Sequence, residues 1–252
     1  MVFTEGMLAW PPDPEAWSLR WYKNMIGDCS ADVVSSTVPC SKKWMIGTVN
    51  SFYIGIIATI IATTLGTLAA LGLSRPHMPY KGLIMAILIS PMIVPLIITA
   101  AGMFFFYARI NLVYTFTGVI LAHVALATPF VVITVTATLV GFDMNMVKAA
   151  QSLGAKPIRT FFKVIMPLIL PGIISGALFA FITSFDEVVI VMFMASIDQL
   201  TIPKQMWAGI RQEISPVILC MATCLVLLSI FLLTTVELLR RRSEKLRGIK
   251  AR

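Results

Sequence analysis

The sequence predicts an all-α polytopic membrane helical bundle, and three observations carry that prediction. Of its 252 residues, 58% are hydrophobic and only 13% are charged, roughly half the charged share of a soluble domain. Mean hydropathy is +0.89. The apolar residues are gathered into runs close to the roughly 20 residues a helix needs to cross a bilayer. Such a chain lacks the polar side chains to cover its own surface, so lipid must cover it instead.

Five runs read as spans. The first, about 45–73, is "MIGTVNSFYIGIIATIIATTLGTLAALGL", without a charge. The second, about 83–106, carries Pro91 and Pro95 and is expected to kink there. The third, about 116–140, holds an isolated histidine, His123; for it, as for His77, a structural role is expected. The fourth runs from near Leu168 to about Met194. The fifth, about 216–236, opens on Pro216, which suits a first helical turn. Its Cys220 and Cys224 read as small packing residues. Pro91, Pro95, Pro129 and Pro171 are either fixed kinks or breaks that line a path. No cluster of His, Cys, Asp and Glu suggests a metal site.

Five spans put the chain ends on opposite sides. With the C-terminus inside, the inner segments hold thirteen Lys and Arg: Arg75, Lys81, Lys148, Lys156, Arg159, Lys163 and those after Val236. The outer segments hold seven. Excess basic charge marks the cytoplasmic side, so the N-terminus is expected outside and the C-terminus inside. The net charge of +8 fits this account better than nucleic-acid binding, because much of it lies in the basic tail over 237–252.

Residues 1–44 form a polar, extracytoplasmic or interfacial segment on this scheme. Exporting it needs a targeting element, so a first transmembrane helix is expected to have preceded Met1 and to be absent here. Trp17, Trp21 and Tyr22 beside Arg20 and Lys23 suit a helix lying at the membrane interface. Cys29 and Cys40, if outside the cytoplasm, could form a disulfide.

The polar stretch from Gly141 to Pro167 interrupts the transmembrane domain, 45–236. Asp143 and Asn145 are fair N-caps for a short helix ending near Leu153. Gly154 suits its stop, and Lys156-Pro157 starts a second helix. The product is a helix–turn–helix knob below the bilayer. Ala149 and Ala150 leave one face nearly bare, which permits close approach by a partner. A plain re-entrant connection is the alternative.

This stretch resembles the EAA motif of ABC-importer permeases, which reads EAA, three residues, Gly, nine residues, then I-x-L-P. Here it is Lys148-Ala149-Ala150, Gly154, then Val164-Ile165-Met166-Pro167, with Lys148 in place of the family's Glu. "SLRWY" at 18–22, "SFDEVVI" at 184–190 and "GIRQEISP" at 209–216 are similar to stretches of the spermidine/putrescine-type permeases. The resemblance implies a type I ABC importer (MetI-like) core with six family spans, five of them here. It implies that Lys148, Ala149, Ala150, Gly154 and Pro167 couple to a dimer of ATP-binding subunits. It also implies a second permease subunit and an extracytoplasmic solute-binding protein. The reversed charge at Lys148 implies either an altered ATPase partner or the loss of that contact. The chain is expected to be no enzyme and to carry no cofactor, with ATP bound by the partner; no GxxxxGK[ST] loop occurs.

In the fourth span Asp186 lies 18 residues past Leu168, about 27 Å along a helix at ~1.5 Å per residue, toward the outer face. Ionisable groups at such depth cost roughly 2.5–3.5 kcal/mol and usually face a cavity or bundle interior. Asp186 or Glu187 is therefore a candidate contact for a cationic solute such as a polyamine in an inner-membrane importer. The competing readings are a helix break, or a pairing with Arg109 or Arg211. An importer for an amino acid derivative or opine, and a stand-alone channel or secondary transporter, are the rival functions. The last would need an ion relay that the spans barely supply.

Overall fold

The apolar runs fold as helices in the computed structural model of the chain, which describes residues 19–28, 42–75, 77–141, 145–212 and 215–246. The cysteines Cys29 and Cys40, the ring of Trp17 and the cap at Asp143 lie outside the described residues. Among the described residues, three helices are long and apolar enough to cross a membrane: 43–73, 116–140 and 157–185. A bent helix pair and a shorter apolar helix, Pro216–Phe231, account for the other two runs.

Two boundaries differ from expectation. The second run is two helices, α3 (Lys81–Ile93) and α4 (Leu96–Arg109), bent by 103°. Pro91 stays inside α3, and the break falls at Pro95. Val94 is extended (φ −69°, ψ 136°), as steric conflict with a following proline ring demands, so the helix stops one residue short of Pro95. The fourth run ends early: α8 (Met166–Phe185) stops at Phe185, and a separate short helix, α9 (Val189–Met194), follows. Asp186 and Glu187 thus sit in a break rather than on a helix.

The chain divides into two compact units, residues 52–199 and residues 1–51 with 200–252. The core of the first is the extensive pairing of α5 (Phe116–Val140) with α8. Small residues permit it. Gly172, Gly176, Ala180 and Ser184 recur every four residues on α8, and all are buried. The bare Gly172 lies against Thr138, Gly176 against Thr134 and Val131, and Ser184 against His123. Without a hydrophobic drive between helices in lipid, this close backbone approach is what holds them together. Partners fall along α5 as they rise along α8, so the two helices are antiparallel.

The long helix α2 (Lys43–Leu73) meets α5 in the same unit through Gly66 on Val131 and through an edge-on ring pair of Tyr53 and Phe116, 5.6 Å apart. These contacts rise together, so α2 and α5 run parallel. The end of α2, the end of α5 and the start of α8 consequently share one end of the unit. The opposite end holds the start of α5, where Thr115 Oγ1 accepts the Gly118 N–H (3.0 Å) and donates to the Leu112 carbonyl (2.7 Å). There the Tyr114 N–H donates to the Met194 carbonyl at 2.9 Å.

In the other unit, α1 (Arg20–Met25) packs on α11 (Pro216–Leu246). Trp21 is buried, with the Arg20 guanidinium 5.3 Å from its ring centre. The first turns of α2 hold α10 (Ile202–Gln212): Asn50 Nδ2 donates to the Leu200 carbonyl and the Ile202 N–H donates to Ser51 Oγ, both at 2.9 Å.

Candidate functional site

The segment after α5 folds as an elbow. Helix α6 (Asn145–Ser152) is followed by Gly154 at φ +79°, and then by α7 (Pro157–Thr160). The Ala155 N–H donates to the Ala150 carbonyl (3.1 Å) and the Gly154 N–H to that of Gln151 (2.9 Å). This pair of bonds is a Schellman stop, whose turning residue must be left-handed; glycine adopts that conformation without a Cβ penalty. Lys156 is extended before Pro157, which occupies the first turn of α7. The expected helix, stop and restart therefore all appear. Lys148 and Ala149 are exposed, and Ala150 is half-buried.

Two features of the elbow escaped the sequence reading. Leu153 is 89% exposed at its tip, and Ile158 and Phe162 are exposed beyond it. No periodic signal distinguishes these from ordinary helical apolar residues. Second, Phe161–Ile165 is a π-turn joining α7 to α8, with the Met166 N–H donating back to the Phe161 carbonyl. Pro167 follows in the first turn of α8. A π-turn absorbs an extra residue without ending the helix, so α7 and the span form one continuous rod.

The two acids part company. Asp186 closes α8, its N–H bonded to the Ile182 carbonyl at 3.0 Å, and its side chain is exposed. Glu187 is 7% exposed, and its Oε1 accepts the Ile190 N–H at 2.8 Å. It caps α9, satisfying an amide that the helix start leaves open. The pair lies at the end of the unit opposite the elbow.

Buried between α5 and α8, His123 Nδ1 is 2.7 Å from Ser184 Oγ. The four-residue recurrence from Gly172 to Ser184 is the signal that could have located this seam in the sequence.

Residues 49–245 match the family described as the binding-protein-dependent transport system inner membrane component. The chain is 30% identical over 196 residues to the spermidine/putrescine transport system permease protein PotC of Haemophilus influenzae, covering 78% of this chain and 76% of that one. It is 29% identical over 215 residues to the putrescine transport system permease protein PotI of Escherichia coli K12, covering 82% and 72%. Its fold is similar to that of a bacterial ABC transporter involved in the import of the acidic polysaccharide alginate (TM-score 0.62, 15% identity, 82% of this chain and 69% of that one). It is also similar to the MetNI methionine ABC transporter in an inward facing form (TM-score 0.57, 19% identity, 82% and 96%).

Proposed function

From the premise that this chain belongs to the family of binding-protein-dependent transport system inner membrane components, we propose that it is the permease subunit of an ATP-driven polyamine importer. The substrate class rests on the likeness to spermidine/putrescine permeases across most of the chain. ATP hydrolysis in such a system belongs to a separate subunit. The elbow is the joint to that subunit. Lys148, Ala149 and Ala150 offer it a nearly bare surface, Leu153 an apolar tip, and Gly154 and Pro157 a fixed turn. Pro167 marks where the rod enters the bilayer. The observation that carries this reading is a Schellman-stopped helix, exposed along its small-residue face, joined through the Gly154 turn to an unbroken rod that packs closely on α5.

The elbow end carries Arg75, Lys81, Lys148, Lys156, Arg159 and Lys163, so it faces the cytoplasm. The basic tail lies on the same side, and the N-terminus lies outside. A second permease subunit completes the path, and an extracytoplasmic binding protein delivers the solute. A crosslinker placed at Ala150 should capture the ATP-binding subunit from the cytoplasmic side. Capture of lipid alone, or labelling only from outside, refutes the joint. In proteoliposomes, labelled spermidine should accumulate only with ATP and the ATP-binding subunit present.

Asp186 is the pathway acid, and Glu187 positions α9 beside it. Asp186→Asn should raise the KM for spermidine several-fold, by removing a charge attraction of about 1 kcal/mol or more at an intermediate dielectric. Glu187→Gln keeps an oxygen for the Ile190 N–H and should leave KM near the wild-type value. Equal KM in wild type and Asp186→Asn removes the carboxylate from the path.

A further inference from the structure

Between α2 and α3 the chain leaves the apolar layer at Leu73 and returns at Lys81. Beside that turn lies an open, shallow cavity of about 550 Å³ lined by Gly72, Arg75, His77, Met78 and Pro79. The volume is in the range of small-ligand sites. Its lining combines the cationic Arg75 and the imidazole of His77 with the uncharged Gly72, Met78 and Pro79. Arg75 and His77 are exposed, and Lys81 opens α3 a few residues on. Their charge is unopposed along the chain: no carboxylate occurs between Asp32 and Asp143. Among the described residues, Arg75, His77 and Lys81 form no ion pair.

On the other side, α3 has no buried residue, and Leu83 and Ile87 stand exposed along it. Tyr80 projects at the boundary in a left-handed conformation (φ 52°), where amphipathic rings commonly sit. A guanidinium fork pairs with phosphate oxygens in two parallel bonds, and an apolar helix face beside it accepts acyl chains. A soluble anion would use only the first of these features.

We propose that this cavity seats the headgroup of one anionic phospholipid, with its phosphate at Arg75 and His77 and its acyl chains along α3. The leaflet concerned is the one facing the elbow, so the inference rests on the orientation proposed above. Its test reads lipid binding and not transport, so the two fail separately.

Gly72 makes the test specific. A Cβ built there meets only Met78 Sδ, at 3.9 Å, so a side chain can start beside the cavity without a clash at its first carbon. The full chain, purified in micelles containing equal phosphatidylglycerol and phosphatidylcholine, is analysed by native mass spectrometry. Wild type should retain phosphatidylglycerol with a preference of about fivefold or more, the effect of roughly one basic side chain at an anionic surface. Arg75→Gln with His77→Gln should abolish the preference. Gly72→Met should abolish it too, with every charge still present. Arg109→Gln, at the opposite end of the unit, should keep it. Three results overturn the proposal: no preference in wild type, preference retained by Gly72→Met, or complete displacement of the lipid by millimolar inorganic phosphate. The second would mean a diffuse basic surface and the third a site for free anions.

Discussion

Gly176→Leu is expected to yield a chain that reaches the membrane but no longer holds α5 against α8. A Cβ at Gly176 would stand 2.5 Å from Thr134 Oγ1 and 3.1 Å from Val131 Cα. The first contact involves a side chain with one rotatable bond, and the second involves backbone. Relief therefore requires the helices to separate, and the Gly172 and Ser184 contacts open with them. Overpacking of a tight interior costs roughly 1–3 kcal/mol for a modest insertion, and leucine adds three carbons beyond the first. Thermal unfolding in detergent should show a midpoint several degrees lower than wild type, with spermidine uptake lost in parallel. Gly176→Ala should show a smaller loss. Thr134→Ala in that background should recover part of it, because it removes the nearer of the two obstructions. A Gly176→Leu protein with wild-type melting and uptake would mean that the α5–α8 seam is not close-packed.

Gly154→Trp is expected to act differently, leaving an inserted, folded protein whose uptake is abolished. The left-handed backbone at φ +79° disfavours any side chain with a Cβ by roughly 1–2 kcal/mol, which loosens the turn. Nothing lies within 4 Å of a Cβ at this position, so the indole would project from the elbow and not clash within the chain. The loss would come from the surface offered to the ATP-binding subunit. Gly154→Asn separates the two causes, since asparagine tolerates the left-handed region and adds little bulk. It should retain most uptake. Wild-type uptake by Gly154→Trp at normal membrane abundance would remove the docking role of the elbow. Equal loss in both variants would mean that backbone strain, not bulk, is responsible.

The elbow was legible because its signals are local. Gly154 is placed where only a left-handed residue closes the turn, and Pro157 where the missing N–H is harmless. Asp186 and Glu187 were found as acids in an apolar run, with a helix break among the readings given for them, and the break is there. What the run did not reveal is that a buried carboxylate takes a backbone N–H and starts the next helix, as Glu187 does with Ile190. Similarly, two prolines in one run suggested two kinks. Pro91 was absorbed inside a helix, and Pro95 produced a sharp break.

By itself the sequence determined the membrane class, the rough extent of the apolar runs, the asymmetry of basic charge and the turn at Gly154. Each depends on composition or on backbone freedom within a few residues. Only the tertiary structure decided which faces meet: the four-residue column of Gly172, Gly176, Ala180 and Ser184 on α8, the pairing of His123 with Ser184, the division of labour between Asp186 and Glu187, and the cavity over Gly72. The reason is that lipid and protein interior are almost equally apolar. A helix greasy on every side carries no amphipathic stripe to say which side is buried, and that choice falls to shape, settled only when the helices come together.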